Sequence, residues 1–312
     1  MATGSVDAGL VPLYTTQFST ALELLLQQMG SKLRGRTREG YHVGKMASPV
    51  NQVGSIALKA PAGRFAPKNR TDAEFVRRWV FPQFGEIDQL IDSFDELQTI
   101  VDPKSQYVTN AGNAVGRAWD DCIILNATAN ASIGQDAGSL TTESFDTSKF
   151  QISVSFGASA ANGLSVAKLI EAQRLFLHYH NDLDADALTL VIGSQQHSDL
   201  LNQVEVVSTE YNERPVLVDG RVKRFLGFDI VASERLPYNV GASNQRGVLA
   251  FVKSGLYLGM WKDTENRVSI RNDLSSEPWD LHTAVGYGVT RLQAGKVLQI
   301  LCSDSTGADI TA

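Results

Sequence analysis

Residues 220–237 read GRVKRFLGFDIVASERLP. A turn, a basic strand, a glycine and a second apolar strand follow one another without slack, which is the layout of a tightly bent β unit. Upstream, residues 188–201 (LTLVIGSQQHSDLL) read as a buried strand that stops at Gly193 and becomes a short helix, with Ser194 as the expected N-cap. The two blocks place a strand–helix unit beside a bent β unit, the centre of an α+β domain.

Working outward, residues 248–260 give two short strands bent at Gly255, residues 267–270 another, and residues 283–292 and 296–301 two β runs joined by Ala294 and Gly295. Residues 164–180 predict a helix with Val166, Leu169, Ile170, Phe176 and Leu177 on one face and Lys168, Glu171 and Arg174 on the other. Residues 130–163, rich in Gly, Ser, Thr and Ala around the alternating strand 150–156 (FQISVSF), read as a hairpin-rich connection. Asp102 and Pro103 form a helix-start signal, and the helix that follows to Ala129 is the longest expected. At ~1.5 Å per residue it reaches roughly 40 Å. Its stripe takes in Tyr107, Ala111, Ala114, Ala118, Cys122 and Leu125, broadened by Val108, Val115, Trp119 and Ile123, while Gly112 and Gly116 permit the close approach of another element.

The amino-terminal third has a different character. Residues 10–33 carry Leu22, Leu25, Leu26 and Met29 at helical spacing, with Gly30 as a stop, and predict a short helix. Residues 34–67 interrupt short β-type pieces with Gly, Pro, Arg and Lys and show no continuous apolar face. Such a stretch cannot bury itself, so it is either disordered or completed by another molecule. Residues 71–100 return to dense apolar content interleaved with acids and are expected to rejoin the folded body.

With 312 residues and 43% apolar content the chain can form two domains or one large one. No apolar run approaches the ~18 residues that span a bilayer, and no signal-peptide pattern opens the sequence, so synthesis in the cytoplasm without membrane contact is expected. Cys122 and Cys302 stand in apolar surroundings without ligands at metal spacing and read as buried hydrophobes. The net charge of −6 hides a segregation: residues 30–80 hold eleven basic residues against three acidic, an excess of eight, so the remainder carries fourteen negative charges. A basic arm on an acidic body invites one copy to lie on another; a solvated face and phosphate contact are the other readings.

Three constellations bear on chemistry. His178 and His180 lie two apart near a helix end, point to different faces and have no third ligand. Asn181, Asp182, Asp184 and Asp186 lack the glycine and distal glutamate of a calcium loop. Ser194, His197 and Asp199 supply the residue types of a nucleophilic triad, but closeness in sequence is no sign of triad geometry, and Ser194 is explained as a cap. No phosphate-binding glycine motif occurs.

Taken in order, these segments resemble the major capsid proteins of tailed bacteriophages with the HK97-like fold. The resemblance covers nearly the whole chain and is best in two places. One runs from IDQLIDSFDELQTIVDPKSQYV through GRAWDDCII, where Asp102, Pro103 and Ser105 start the long helix and Arg117, Asp120 and Asp121 lie within it; the other is the bent β block with Gly227, Phe228, Ser233, Leu236 and Pro237. It implies an α+β fold with an N-terminal arm (1–43) and an extended loop (44–76) lying across a neighbouring subunit. A peripheral domain (77–159) with a spine helix at about 103–129 and an axial domain (160–275) follow, before residues 276–312 return to the peripheral domain. The implied function is a shell: hexamers and pentamers closing an icosahedral capsid around phage double-stranded DNA, located in the virion and assembled in the host cytoplasm, with no enzyme activity, metal or cofactor.

Implied partners are the chain itself, scaffolding and portal proteins, a cement or decoration protein, and packaged DNA by non-specific contact. The candidate inter-subunit contacts are Arg34, Arg36, Arg38, Lys59, Arg64, Lys68, Arg70, Arg77 and Arg78. One relative crosslinks a loop lysine to an asparagine of its neighbour; Lys59 and Lys68 stand in that region, and no such bond is predicted. The alternatives are an encapsulin-like or gene-transfer-agent shell and, in a different class, a soluble hydrolase or metal enzyme around Ser194, His197 or His178.

Overall fold

Strands covered on both faces lose the alternation that marks half-exposed ones, and residues 188–192 and 248–252 are apolar or β-branched at every position. They lie side by side in the middle of the largest sheet. The computed structural model describes residues 24–60, 63–64, 70–91, 104–203, 217–218, 221–275 and 277–304. Strands β1 (Arg38–Tyr41), β2 (Asn51–Val53), β3 (Phe75–Trp79) and β4 (Gln83–Ile91) precede the long helix α1 (Lys104–Thr128). After it come β5 (Ala131–Gly134), β6 (Thr141–Glu143), the single turn α2 (Thr147–Phe150) and β7 (Gln151–Ile152). Helix α3 (Val166–His178), β8 (Leu188–Ile192) and α4 (Ser194–Leu201) lead to the short strands β9 (Leu217–Val218), β10 (Arg221–Val222) and β11 (Arg224–Phe225). The chain closes through β12 (Phe228–Ala232), β13 (Gln245–Val252), β14 (Leu256–Ile270), β15 (Trp279–Arg291) and β16 (Val297–Ser303).

The central sheet has the order β11-β12-β8-β13-β16-β7, with β8 and β12 parallel and β13 antiparallel to both β8 and β16. Its side chains Leu190, Ile192, Val248 and Phe251 join Leu169 and Phe176 of α3, Leu200 of α4 and Ile123 of α1 in one core. A second sheet, β1-β14-β15-β4, and a third, β2-β3-β5-β6, stand outside it. The bent unit forms as its sequence predicts. Strand β11 turns into β12 at Leu226 and Gly227, with φ of 47° and 79°, the left-handed pair whose twist matches a tight hairpin.

A buried ionic network ties this unit to its surroundings. Arg246 donates to Glu234 Oε2 at 2.8 Å and to Asp304 Oδ2 at 2.7 Å, and Gln196 Nε2 donates to the same Asp304 oxygen at 3.3 Å. The N-cap of α4 is Gly193, one residue earlier than expected: its N–H donates to Gln196 Oε1 at 3.1 Å, and the Ser194 N–H donates to the Glu234 carboxylate. A Cβ at Gly193 would lie 2.6 Å from Gln196 Oε1, so a side chain there would have to displace the Gln196 amide.

Four other expectations change. The strand expected over 150–156 shrinks to β7, because Asp146 caps the turn α2 just before it, accepting from Ser148 N–H at 3.0 Å, and Phe156 N–H closes a turn onto Ser153 O. The strands expected at 256–260 and 267–270 are one, β14. It stands away from the core beyond Met260, so the polar interval needs no covered face. On α3, Lys168 is buried and Ile170 and Leu177 are exposed. The Lys168 ammonium donates to Asn162 O, Gly163 O and Leu301 O at 3.0, 2.9 and 2.9 Å, three acceptors for three donors, and burial holds its pKa below the usual lysine range. On α1 the core face runs through Val115, Trp119, Ile123 and Ala127, and Tyr107 and Leu125 lie outside it. Fully buried Arg291 donates from Nη1 to Ala127 O and Ala129 O at 3.0 and 2.9 Å, so β15 caps the carboxyl end of α1.

Candidate assembly surface

A carboxylate buried in a helix needs donors, and the donors that find Asp120 come from the amino-terminal segment. Asp120, fully buried in α1, accepts from Gln28 Nε2 (2.6 Å), Ser31 Oγ (2.5 Å), Lys32 N–H (3.0 Å) and Leu33 N–H (3.1 Å). One turn earlier Gly116 lets the backbone touch: a Cβ there would sit 2.4 Å from the Gly30 carbonyl carbon. Asn113 Oδ1 accepts from Gly30 N–H at 3.0 Å, and Arg117 Nη1 donates to Gln27 Oε1 at 2.6 Å. This replaces the expected helix over residues 24–33, since amides 32 and 33 are spent on Asp120 and the segment runs irregularly along α1. Residues 10–23 lie outside the described residues. The apolar residues that suggested a helical face, Leu25, Leu26 and Met29, are 89%, 105% and 73% exposed.

The segment from 34 to 53 is fastened too. Strand β1 pairs in parallel with β14 from Arg38–Tyr257 to Tyr41–Met260. His42 Nε2 and the Tyr257 hydroxyl are 2.6 Å apart, with the His42 ring against Tyr257 and Trp261; burial lowers the His42 pKa and raises that of Tyr257. Trp261 Nε1 donates to Gly44 O at 2.7 Å, and Gln52 Nε2 to Leu292 O at 2.8 Å. Beyond this base β2 and β3 form an antiparallel ribbon on the β5–β6 edge, and Val53, Ile56, Leu58 and Phe75 lie exposed on it and its extension. On the return, Phe84 and Leu90 of β4 are exposed as well, so the apolar content of 71–91 is largely outside the core; residues 92–100 are not among those described.

The nine basic candidates divide. Arg34 stacks on Trp119 at 4.4 Å and lies 3.4 and 3.7 Å from Glu39 and Asp263, while Arg36 lies 3.7 Å from Asp229. Arg78 is 7% exposed and paired with Glu143. These three, expected on a neighbour, hold their own chain together: each points back from a strand or turn onto an acid of the body. Arg38, Lys59, Arg64, Arg70 and Arg77 are exposed, with Arg77 Nη1 donating to Gln135 O at 3.2 Å. Lys68 lies outside the described residues. The close approach at Gly116 is the one its sequence position led us to expect; what the sequence concealed is the role of Asp120, whose only signal is a charge inside an apolar helical stripe.

Several of the residues weighed for chemistry have structural partners. His197 Nε2 accepts from Val222 N–H at 3.3 Å, and Asp199 accepts from Leu164 N–H at 3.1 Å and from Gln195 at 3.2 Å. Asn181 is buried, donating to Phe176 O and Gly295 O, and Asp182 caps the next turn through Asp184 and Ala185 N–H. Glu86, Asp88 and His282, on the β4–β15 pair, place one ligand atom each within 4.8 Å of the others, but both carboxylates are exposed and His282 Nδ1 is already paired with Asp88. Among the described residues no helix is long and apolar enough to cross a membrane.

Residues 11–304 match the model of the family described as phage capsid protein. No curated protein matches the sequence. Among solved structures, the capsid of the cyanophage P-SCSP1u superposes with a TM-score of 0.74 at 15% identity, covering 97% of this chain and 96% of that one. The capsid of the cyanophage Pam1 gives 0.72 at 12% identity, covering 98% and 100%. The capsid of a native GTA particle gives 0.69 at 11% identity, covering 97% and 100%. The α+β, HK97-like fold expected from the sequence is the fold observed.

Proposed function

Since the chain belongs to the phage capsid protein family, we propose that it is the major capsid subunit, assembling as hexamers and pentamers into an icosahedral shell around phage double-stranded DNA. The observation that carries this reading is the β2–β3 ribbon and its extension, anchored at the base and bare of cover at Val53, Ile56, Leu58 and Phe75. A monomer gains nothing by exposing such a stretch; a second copy buries it. Each such contact can be weak, because a subunit in a closed lattice touches several neighbours at once.

In this reading residues 44–76 are the loop that reaches a neighbour, and residues 1–43 include an arm whose root is held by Asp120. Residues 77–159 and 276–312 form the peripheral domain, and residues 160–275 the axial domain at the symmetry centres. Arg38, Lys59, Arg64, Lys68, Arg70 and Arg77 are the basic side chains offered to neighbouring acids. Scaffolding, portal and decoration proteins are further partners, and assembly takes place in the host cytoplasm. The hydrolase reading draws no support from His197 and Asp199, whose side chains accept from the backbone N–H groups of Val222 and Leu164. A gene-transfer shell differs in its contents, read by sequencing the enclosed DNA.

Negative-stain electron microscopy of the purified chain tests the proposal: closed shells of uniform diameter are expected, and a small soluble species under all assembly conditions overturns it. R77E, which leaves the buried Arg78 pair in place, is expected to fold and to lower shell yield.

A further inference from the structure

Where residues 32–36 cross the end of the β12–β8–β13 ribbon they leave a cleft of about 420 Å³. Lys32, Arg36 and Lys253 line it, with a single acid, Asp229. That acid is shared, lying 3.7 Å from Arg36 and 3.6 Å from Arg224 at the rim. Lys32 Nζ donates to Ala232 O at 2.8 Å, and the Lys253 ammonium has no ion pair or hydrogen bond among the described residues. Thr189, 1% exposed and opposite Asp229 in the β8–β12 register, contributes to the lining, and Gly35 adds no side chain at the mouth. Positive charge is therefore in excess here, although Arg224 and Lys253 belong to the part of the chain that is acidic overall.

We propose that this cleft holds a backbone phosphate of double-stranded DNA on the wall of the shell, an inference that rests on the capsid reading. Lys32, Arg36 and Lys253 meet the phosphate oxygens as point charges and a fork, and Arg224, with a side chain 73% exposed, takes the next phosphate along. An acidic side chain of a neighbouring copy brings one charge to one place, whereas duplex DNA carries a charge every ~1.7 Å of axis, so a single ligand fills both cleft and rim.

The test uses the full-length chain and a short fluorescent duplex titrated at increasing salt. Lys253→Glu combined with Arg224→Glu is expected to bind roughly tenfold more weakly at low salt and to flatten the log affinity against log salt slope by about two. Lys253→Gln, which adds no charge and breaks no side-chain contact among the described residues, is expected to flatten it by about one. Unchanged affinity and slope in Lys253→Gln, or no duplex binding by the native chain at low salt, overturns the proposal. So does a variant that binds the duplex normally but cannot close shells, since the cleft then serves a neighbouring subunit. If the native chain binds DNA through these residues yet never forms shells, the capsid reading fails and the phosphate site stands.

Discussion

Replacing Asp120 by Asn changes one oxygen into an amino group and leaves the shape of the side chain alone. Oδ1 accepts from Ser31 Oγ and Leu33 N–H, and Oδ2 from Gln28 Nε2 and Lys32 N–H. With the NH2 on the Oδ1 side the Ser31 hydroxyl can turn to accept from it but the Leu33 N–H is left unpaired; on the other side both Gln28 Nε2 and Lys32 N–H are, and in either orientation the bonds that remain lose their charged acceptor. Hydrogen bonds to a charged acceptor are worth roughly 1.5–3 kcal/mol each, so docking of residues 28–33 weakens by about 3–6 kcal/mol. A factor of ten corresponds to about 1.4 kcal/mol, and local opening of the segment therefore rises by roughly two to four orders of magnitude. Amide hydrogen exchange reads this directly. Protection of Lys32 and Leu33 is expected to fall by that amount, to the limit of a free chain, while Leu190 and Leu249 in the central sheet keep theirs. Full protection at Lys32 and Leu33 in D120N refutes the reasoning. So does an equal loss at Leu190 and Leu249, which makes Asp120 a general core residue and not the holder of the arm.

R78E places two carboxylates together where Arg78 now pairs with Glu143, and urea denaturation is expected to show a loss of about 3–5 kcal/mol, whereas R77E stays within about 0.5 kcal/mol of the native chain. G116A drives a methyl into the Gly30 backbone and is expected to raise proteolytic cutting between residues 24 and 33, while at Gly112 a Cβ meets nothing within 4 Å and G112A should stabilise α1 by about 0.5–1 kcal/mol. Burial raises the thiol pKa of Cys122 to about 11 and of Cys302 to about 12, so iodoacetamide at pH 8 should leave both untouched until urea is added. An unfolded thiol releases its proton near pH 9 and the folded one holds it longer, so the unfolded chain binds fewer protons above that pH and stability falls as pH rises from about 9 towards 12.

The central sheet was legible because burial on both faces leaves a continuous apolar signal, and because Leu226–Gly227 is a turn with its own chemistry. The long helix was legible from Asp102, Pro103 and its stripe. Apolar residues outside the core misled: Leu25, Leu26 and Met29 carry helical spacing, yet the segment is shaped by Asp120 ninety residues away in the chain. Lys168 looked like a solvent-facing position because its carbonyl cage includes Leu301, which no local pattern brings near. Of the basic candidates, sequence could count charges but could not tell Arg78, opposite Glu143, from Arg77 beside it. Their side chains alternate across one strand, and which face is covered depends on β5 and β6.

Strand β14 begins among the most buried residues of the chain, Leu256 to Met260, and ends exposed at Val268 and Ile270. Its pairing with β15 slips twice, between Met260 and Lys262 and between Lys262 and Glu265, at the passage from buried to exposed. Such irregularities bend a ribbon and raise its twist. A beam clamped at one end and notched beside the clamp flexes at the notch. A load on the exposed end of β14 is therefore expected to be taken up in residues 260–265, where the pairing with β15 slips.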